Sequence, residues 1–334
     1  MSGDAAGGGP TRDGTTGGDA TGDGSTGGGP ATHVRHRSSG GDQKRDLTYP
    51  APPQPLVVPV YDNHTHLEIA DGVGDDGNGP LDYREHLDRA SAVGVRGVVQ
   101  VGTDLETSRW SAEIASREPR VLAAVAIHPN EAPALAAAGT LDDALAEIDE
   151  LAARPRVRAV GETGLDFFRT GDDGRAAQLE AFRGHIEIAK RHGLALQIHD
   201  RDAHDDVVDL LLEVGAPERT VFHCFSGGPE LAGILAENGW YASFSGTVTF
   251  TNAQPLRDAL VQLPRNLIMV ETDAPYLTPV PYRGRPNAPY LIPFTLRSMA
   301  ETIGTDVSML AAQISSTTEL VYGTWDSEPV TVEG

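Results

Sequence analysis

The chain has 334 residues, of which 26 are basic and 48 are acidic, so its formal net charge is −22. This charge excludes proteins that hold nucleic acid along a broad basic face and proteins anchored electrostatically to anionic membranes. A single cysteine, Cys224, excludes an internal disulfide or a cysteine-built metal site and is typical of a reducing compartment. No apolar run approaches the roughly 20 residues of a membrane span, and no signal-peptide pattern begins the chain. We therefore expect a cytoplasmic protein with no membrane partner.

The N-terminal segment differs in composition from the rest of the chain. Residues 1–50 contain 14 of the 38 glycines and almost no large apolar side chains, so they cannot bury enough surface to offset their ordering entropy. Together with the proline-rich stretch YPAPPQP (49–55), they predict a disordered tail and stiff linker over residues 1–55. The sequence beyond predicts one folded domain over residues 56–323 and a short C-terminal tail over residues 324–334. Residues 1–50 hold only 5 basic and 6 acidic groups, so the acidity belongs to the folded domain.

Eight short apolar segments alternate with amphipathic helical patterns along this domain. Several are apolar without alternation, as expected for strands buried on both faces of a parallel sheet. Eight strand–helix units over about 270 residues predict a (β/α)8 TIM barrel. A doubly wound open sheet is the less favoured alternative, because no glycine-rich dinucleotide fingerprint follows the first strand. The predicted strands are LVVPVYD (56–62), VRGVVQVG (95–102), VLAAVAIH (121–128), VRAVGETG (157–164), LALQIHD (194–200), TVFHCFS (220–226), WYASFSG (240–246) and NLIMVETD (266–273).

Histidines and carboxylates gather at the predicted carboxyl ends of these strands, where TIM barrels place their active sites. Imidazole and carboxylate are ligands of divalent ions, and so many buried acids and bases would be costly without one. The sequence therefore predicts a metal centre in the barrel mouth. The strand-end groups are His64, His66, His128, His199, His223, Asp62, Glu162, Asp166, Asp200, Glu271 and Asp273. Four histidines fall in helical patterns and are expected to be solvated or capping residues: His86, His185, His192 and His204. Cys224 is expected to be a core residue.

The spacing of the strand-end groups favours a centre with two divalent ions. His64 and His66 point to the same side of the first strand, so both can bind one ion. Glu162 could bridge to a second ion. A carboxylated lysine is excluded as the bridge, because the only lysine of the domain, Lys190, lies in a helical pattern.

Three further ligands come from later strands. His199 and His223 can supply the second ion, whereas Asp273 can bind the first ion and accept a proton from water. Paired ions of this kind activate water for hydrolysis, and Mg²⁺, Mn²⁺ and Zn²⁺ all suit the ligand set.

The ordered motifs resemble those of the TatD family of metal-dependent hydrolases and deoxyribonucleases, within the amidohydrolase-type TIM barrels. The resemblance covers about residues 57–323 and implies that His64, His66 and Asp273 bind one metal, that His199 and His223 bind the other, and that Glu162 lies between them. It also implies cleavage of phosphodiester bonds in DNA, often as a 3′ exonuclease. Two positions depart from the common pattern: Asn130 stands where many members have histidine, and Asp200 where serine is common. The matching stretches are DNHTH (62–66), IHP (127–129), GETGLDF (161–167), IHDRDA (198–203), HCFSG (223–227), ETDAPYL (271–277), RGRPNAP (283–289) and ELVYG (319–323).

Two further residues are candidates for catalysis or substrate contact. His128 either donates to a substrate oxygen or caps the third strand. Arg201 follows the ligand His199, so its forked donors suit a phosphate, although pairing with one of the many carboxylates is the common fate of an arginine in this chain.

Three functions compete on these observations. The first is a two-metal nuclease that takes short or terminal DNA, with Glu162, Asp273, His128 and Arg201 as its catalytic residues. The second is a hydrolase of a small ester, an amide or an aminoacyl-tRNA-type substrate with the same metal centre. The third, a non-catalytic scaffold, is disfavoured by the complete ligand set. We expect a monomer with no obligate protein partner.

Overall fold

The computed structural model describes residues 33–35, 46–74, 77 and 79–325. Its strands are β1 (His33–Val34), β2 (Val60–Thr65), β3 (Ile69–Ala70), β4 (Val95–Val101), β5 (Val121–Val125), β6 (Val157–Asp166), β7 (Ala195–Arg201), β8 (Thr220–Phe222), β9 (Tyr241–Phe244) and β10 (Ile268–Val270). Its α-helices are α1 (Tyr83–Ala92), α2 (Leu105–Arg117), α3 (Ala132–Ala138), α4 (Leu141–Ala152), α5 (Asp172–His192), α6 (His204–Val214), α7 (Pro229–Asn238), α8 (Gln254–Gln262), α9 (Ile292–Ile303) and α10 (Val307–Tyr322).

Eight strands form a parallel barrel in the order β10-β9-β8-β7-β6-β5-β4-β2. The first and last strands are joined just beyond their ends, where the His66 amide donates to the Ala274 carbonyl at 2.8 Å and the Asp273 amide donates to the His64 carbonyl at 3.0 Å. The barrel prediction is thereby confirmed, and each of the eight predicted strands overlaps one of these strands. Among the residues that the structure describes, no helix is long and apolar enough to cross a membrane.

Burial on both faces explains why the strands are apolar without alternation. Every residue of β5 is buried, because one face of the strand meets the barrel interior and the other meets the surrounding helices. Ordinary start and stop signals bound these helices: the Asp82 carboxylate and Glu85 form a capping box at the start of α1, and α5 ends at Gly193 with a φ of 61°. The sequence thus folds each strand–helix unit locally, and the ring brings the strand ends together.

The first barrel strand begins later than predicted, at Val60 instead of Leu56. Pro59 has no amide hydrogen to give to a sheet, so pairing begins only after it.

Part of the predicted tail packs against the barrel. Tyr49 is 4% exposed and donates its hydroxyl to the Asp71 carbonyl at 2.6 Å, and the Pro50 carbonyl accepts from the Tyr290 hydroxyl at 2.5 Å. Further upstream, β1 pairs in parallel with β3. Residues 1–32 and 36–45 of the predicted tail lie outside the described residues. The tail was predicted from its average composition, which does not show that a single aromatic residue such as Tyr49 packs against residues far along the chain.

Trp325, in the predicted C-terminal tail, also packs against the domain. It is 5% exposed and stacks on Tyr61 with 4.0 Å between ring centroids. The folded part therefore extends at least two residues beyond the predicted boundary at Gly323.

Candidate metal centre

The six predicted metal ligands converge at the carboxyl end of the barrel. A cavity of about 560 Å³ opens there, and five of the six line it, while His64 lies behind them, fully buried. Because the six ligands lie in or after five different strands of the ring, only barrel closure brings them together. The ligands and their places are His64 in β2, His66 after β2, Glu162 in β6, His199 in β7, His223 after β8 and Asp273 after β10.

Glu162 occupies the centre of the group. Its Oε1 atom lies 2.6 Å from Nδ1 of His199 and 2.8 Å from Nε2 of His223. Its Oε2 atom lies 3.6 Å from Nε2 of His64 and 3.7 Å from Nε2 of His66. The two carboxylate oxygens thus face two different pairs of histidines, which is the placement that a bridging carboxylate requires.

Backbone geometry fixes two of the surrounding positions. Asp273 has a φ of 54°, in the left-handed region, which places its Oδ1 atom 3.5 Å from Nε2 of His66 and 3.9 Å from Nε2 of His64. Gly164 has a φ of 134°, and a Cβ atom there would lie 2.1 Å from the His199 carbonyl oxygen. Only glycine lets β6 approach β7 closely enough to bring Glu162 to His199.

The donor set fits divalent ions. His64 is 0% exposed, yet neither of its ring nitrogens has a hydrogen-bond partner within the described part of the chain. A buried polar group without a hydrogen bond lowers the stability of the fold. The carboxylates of Glu162 and Asp273 lie 3.6 and 3.9 Å from Nε2 of His64, which is too far for hydrogen bonds but is the spacing expected of ligands that share an ion. Within residues 33–35, 46–74, 77 and 79–325, three groups have ligand atoms within 4.8 Å of one another: His64, His223 and Asp273; His64, His66 and Glu162; and His128, Glu162 and His199.

Protonation in the cluster follows the balance between burial and charge. Burial would raise the pKa of Glu162, but the histidines around it, His223 and His128 above all, hold that pKa well below its usual range. Burial would lower the pKa of His223, but Glu162 and Glu271 raise it well above its usual value. The pKa of His66 is likewise raised against burial, by hydrogen bonds to Asp273 and then Glu68. In the metal-free protein these histidines therefore carry protons that a metal ion must displace when it binds.

Two further carboxylates orient the ligand histidines. Asp166 Oδ2 lies 3.2 Å from Nε2 of His199, and Glu271 Oε1 lies 3.3 Å from Nδ1 of His223 while accepting the Cys224 amide at 2.7 Å. Such partners fix the tautomer and the ring plane of a ligating histidine.

The two remaining candidate residues lie on the cavity wall. Nδ1 of His128 accepts the Asn130 amide at 3.1 Å, which leaves its Nε2–H directed at Glu162 Oε1, 3.4 Å away. The Arg201 guanidinium lies 3.9 Å from the centre of the Phe168 ring, and among the described residues it forms no ion pair with a carboxylate. Arg201 is thus held by an aromatic face with its donors available to the cavity.

Two expectations about single residues were wrong. Cys224 lines the cavity and is only half-buried, because β8 ends at Phe222 and a φ of 41° turns the chain at Cys224. His185 and His86 are buried and neither solvated nor capping. The helical spacing of His185 with Phe182 and Ala189, which are both buried, is the signal that could have identified it.

The other two helix histidines take polar partners. Nε2 of His192 lies 2.7 Å from the Asp149 carboxylate, and Nδ1 of His204, the first residue of α6, lies 2.6 Å from the Asp200 carboxylate.

Comparison with known proteins identifies the family of the chain. The family model described as "TatD related DNase" matches residues 61–323. A Mycobacterium tuberculosis protein described as "Uncharacterized metal-dependent hydrolase TatD" is 45% identical over 268 residues, covering 79% of this chain and 98% of its own length. The Bacillus subtilis hydrolase YabD is 35% identical, covering 72% of this chain and 90% of its own length. The crystal structure of the Escherichia coli TatD homologue YJJV superposes with a TM-score of 0.68 at 25% identity, covering 79% of this chain and 98% of that one. The chain belongs to the TatD family of metal-dependent hydrolases.

Proposed function

We propose that this hydrolase cleaves phosphodiester bonds at the ends of DNA strands, as a 3′ exonuclease, with two divalent ions held around Glu162. The observation that carries the proposal is the buried ring of imidazoles and carboxylates in which neither ring nitrogen of His64 has a hydrogen-bond partner among the described residues. The description of the family as related to DNases supports the choice of DNA.

The ligands divide into two sets around Glu162. His64, His66 and Asp273 would hold one ion, and His199 and His223 the other, with one oxygen of Glu162 facing each set. When bound, such ions supply Lewis acidity, which lowers the pKa of water and offsets the charge that develops on phosphoryl oxygens.

The other side chains act on the substrate and on protons. Asp273 presents its carboxylate to the cavity beside both β2 histidines, so its free oxygen can orient water and accept its proton. Arg201 on Phe168 and the Nε2–H of His128 are donors for the non-bridging oxygens of the phosphate. This division of roles requires only a small mouth, which a short or terminal strand can enter.

A hydrolase of small esters or amides, or of an aminoacyl-tRNA-type substrate, is the second candidate, and the net charge of −22 favours it. A long nucleic acid would be repelled by that charge outside the mouth.

We further propose that the bound ions are Mg²⁺, Mn²⁺ or Zn²⁺ and that the protein is a cytoplasmic monomer.

A substrate panel separates the two functions. Purified protein with Mg²⁺, Mn²⁺ or Zn²⁺ receives single-stranded DNA labelled at its 5′ end and, in parallel, carboxylic esters and amides. We expect a ladder of products shortened from the 3′ end. Ester or amide turnover without nucleotide release would overturn the nuclease and favour the second candidate.

A further inference from the structure

A second, smaller cavity lies beside the metal cavity and has a different chemistry. This side pocket, of about 330 Å³, shares Cys224, Ser226 and Thr247 with the metal cavity and is also lined by Phe250, Pro255 and Leu256. The shared residues place the two cavities side by side. A substrate whose reacting atom lies near Glu162 could therefore extend into the side pocket.

The side pocket is formed by a fixed loop. A short 3-10 helix over Gly246–Thr249 follows β9, and α8 begins at Gln254. From within α8, Arg257 donates to the Phe250 carbonyl at 2.7 Å and to the Val248 carbonyl at 3.1 Å. The loop is held by its own hydrogen bonds, so the pocket is formed before a ligand arrives and little ordering entropy is lost on binding.

The walls of the side pocket fit a flat, apolar ring. Phe250, Pro255 and Leu256 supply carbon surface, in contrast to the imidazoles and carboxylates of the metal cavity. The Arg283 guanidinium lies 3.9 Å from the centre of the Phe250 ring, which places a positive charge beside this wall of the pocket in an otherwise acidic protein. An aromatic face backed by arginine is the usual platform for a nucleobase attached to a phosphate backbone.

The volume is consistent with one base. About 330 Å³ lies near the lower end of ligand pockets, which span roughly 300–1,000 Å³. One flat heterocycle enters such a space, whereas a base pair in a duplex does not. We propose that the side pocket binds the base of the terminal nucleotide while its phosphodiester lies at the metal centre. This inference rests on the proposed phosphodiesterase function and assigns the terminal base a subsite of its own.

Filling the pocket tests the inference. Leu256→Trp places an indole in the pocket, and Val261→Trp, which adds the same ring to the same helix at a site that is 55% exposed and outside the pocket, is its matched control. The substrates are thymidine 5′-(p-nitrophenyl phosphate) and methyl p-nitrophenyl phosphate, which share a leaving group and a phosphodiester but of which only the first carries a sugar and a base. The readout is the ratio of kcat/KM for the nucleoside ester to that for the methyl ester.

We expect Leu256→Trp to lower this ratio about tenfold, which is about 1.4 kcal/mol, and Val261→Trp to leave it at the wild-type value. Phe250→Ala, which removes the stacking face without filling the pocket, should also lower the ratio. An unchanged ratio in both pocket variants would overturn the inference. So would a ratio that falls equally in Val261→Trp.

Equilibrium binding distinguishes failure of this inference from failure of the proposed function. The Kd of thymidine 5′-monophosphate relative to methyl phosphate is measured by calorimetry on the Mn²⁺-loaded protein. If neither ester is hydrolysed but Leu256→Trp still weakens only the nucleotide, the proposed reaction is wrong and the base pocket stands. If wild type and Leu256→Trp bind the nucleotide equally, the base pocket is wrong whatever the reaction.

Discussion

His185 is a buried imidazole whose protonation is defined by its partners. Its Nε2 atom lies 3.1 Å from the Ile127 amide, which can only donate, so the ring proton is on Nδ1, which lies 2.9 Å from the Thr163 hydroxyl. Ile127 precedes His128, and Thr163 follows Glu162. A neutral His185 therefore ties together the ends of two strands that carry the metal centre.

The stability that His185 contributes depends on pH with a definite sign. Burial lowers the pKa of His185 from 6.5 to about 4. Between these two values, His185 is protonated in the unfolded chain and neutral in the folded chain. The stabilisation is complete above the unfolded pKa and is lost as the pH falls towards the folded one. At about 1.36 kcal/mol per pKa unit, this shift can change the free energy of unfolding by at most roughly 3 kcal/mol. About 2 kcal/mol of that change falls between about pH 7 and about pH 5.

Replacement by glutamine tests this prediction. His185→Gln retains an acceptor for the Ile127 amide but does not titrate, so at neutral pH it should be less stable than wild type by about 1–3 kcal/mol. From about pH 7 to about pH 5 that difference should shrink by about 2 kcal/mol. Urea unfolding in the presence of EDTA measures the difference in free energy of unfolding between the two proteins. The metal ligands and His86 titrate in both proteins, so their contributions cancel in this difference. A difference that stays constant over this range would refute the neutral, buried imidazole.

Three further predictions concern the metal centre and its mouth. Metal binding should release protons, because the pKa values of His66 and His223 are raised in the metal-free protein; affinity measured by calorimetry should rise as the pH increases towards those values, and a pH-independent affinity would contradict it. Gly164→Ala should lower the free energy of unfolding by more than about 1 kcal/mol in urea, since its Cβ would meet the His199 carbonyl; wild-type stability would contradict the close strand contact. Arg201→Ala should raise KM for DNA about tenfold and change kcat less, because a charged hydrogen bond is worth about 1.5–3 kcal/mol; an effect confined to kcat would show that Arg201 does not bind the ground-state phosphate.

The barrel and its ligands were predictable because both depend on local patterns. Strands such as Val121–Val125 are apolar throughout, and the barrel rule then assigns His199 and His223 to one ring although they lie near the carboxyl ends of different strands.

Features that depend on distant partners could not be predicted in this way. Tyr49 lies in a segment of low-complexity composition, and its burial depends on Asp71 and the α1 region. The exposure of Cys224 depends on where β8 stops, which hydrophobicity alone does not indicate. The side pocket is likewise built by a loop after β9 and by the start of α8, whose relative placement is set by hydrogen bonds from Arg257.

The number of ions held around Glu162 tests the central claim most directly. Wild type and Glu162→Ala are loaded with Mn²⁺ or Zn²⁺, freed of excess metal, and measured by elemental mass spectrometry, with circular dichroism to confirm that both are folded. We predict two ions per wild-type chain, and in the variant fewer ions together with loss of hydrolysis. A folded Glu162→Ala protein with wild-type metal content and wild-type turnover would contradict the two-metal centre.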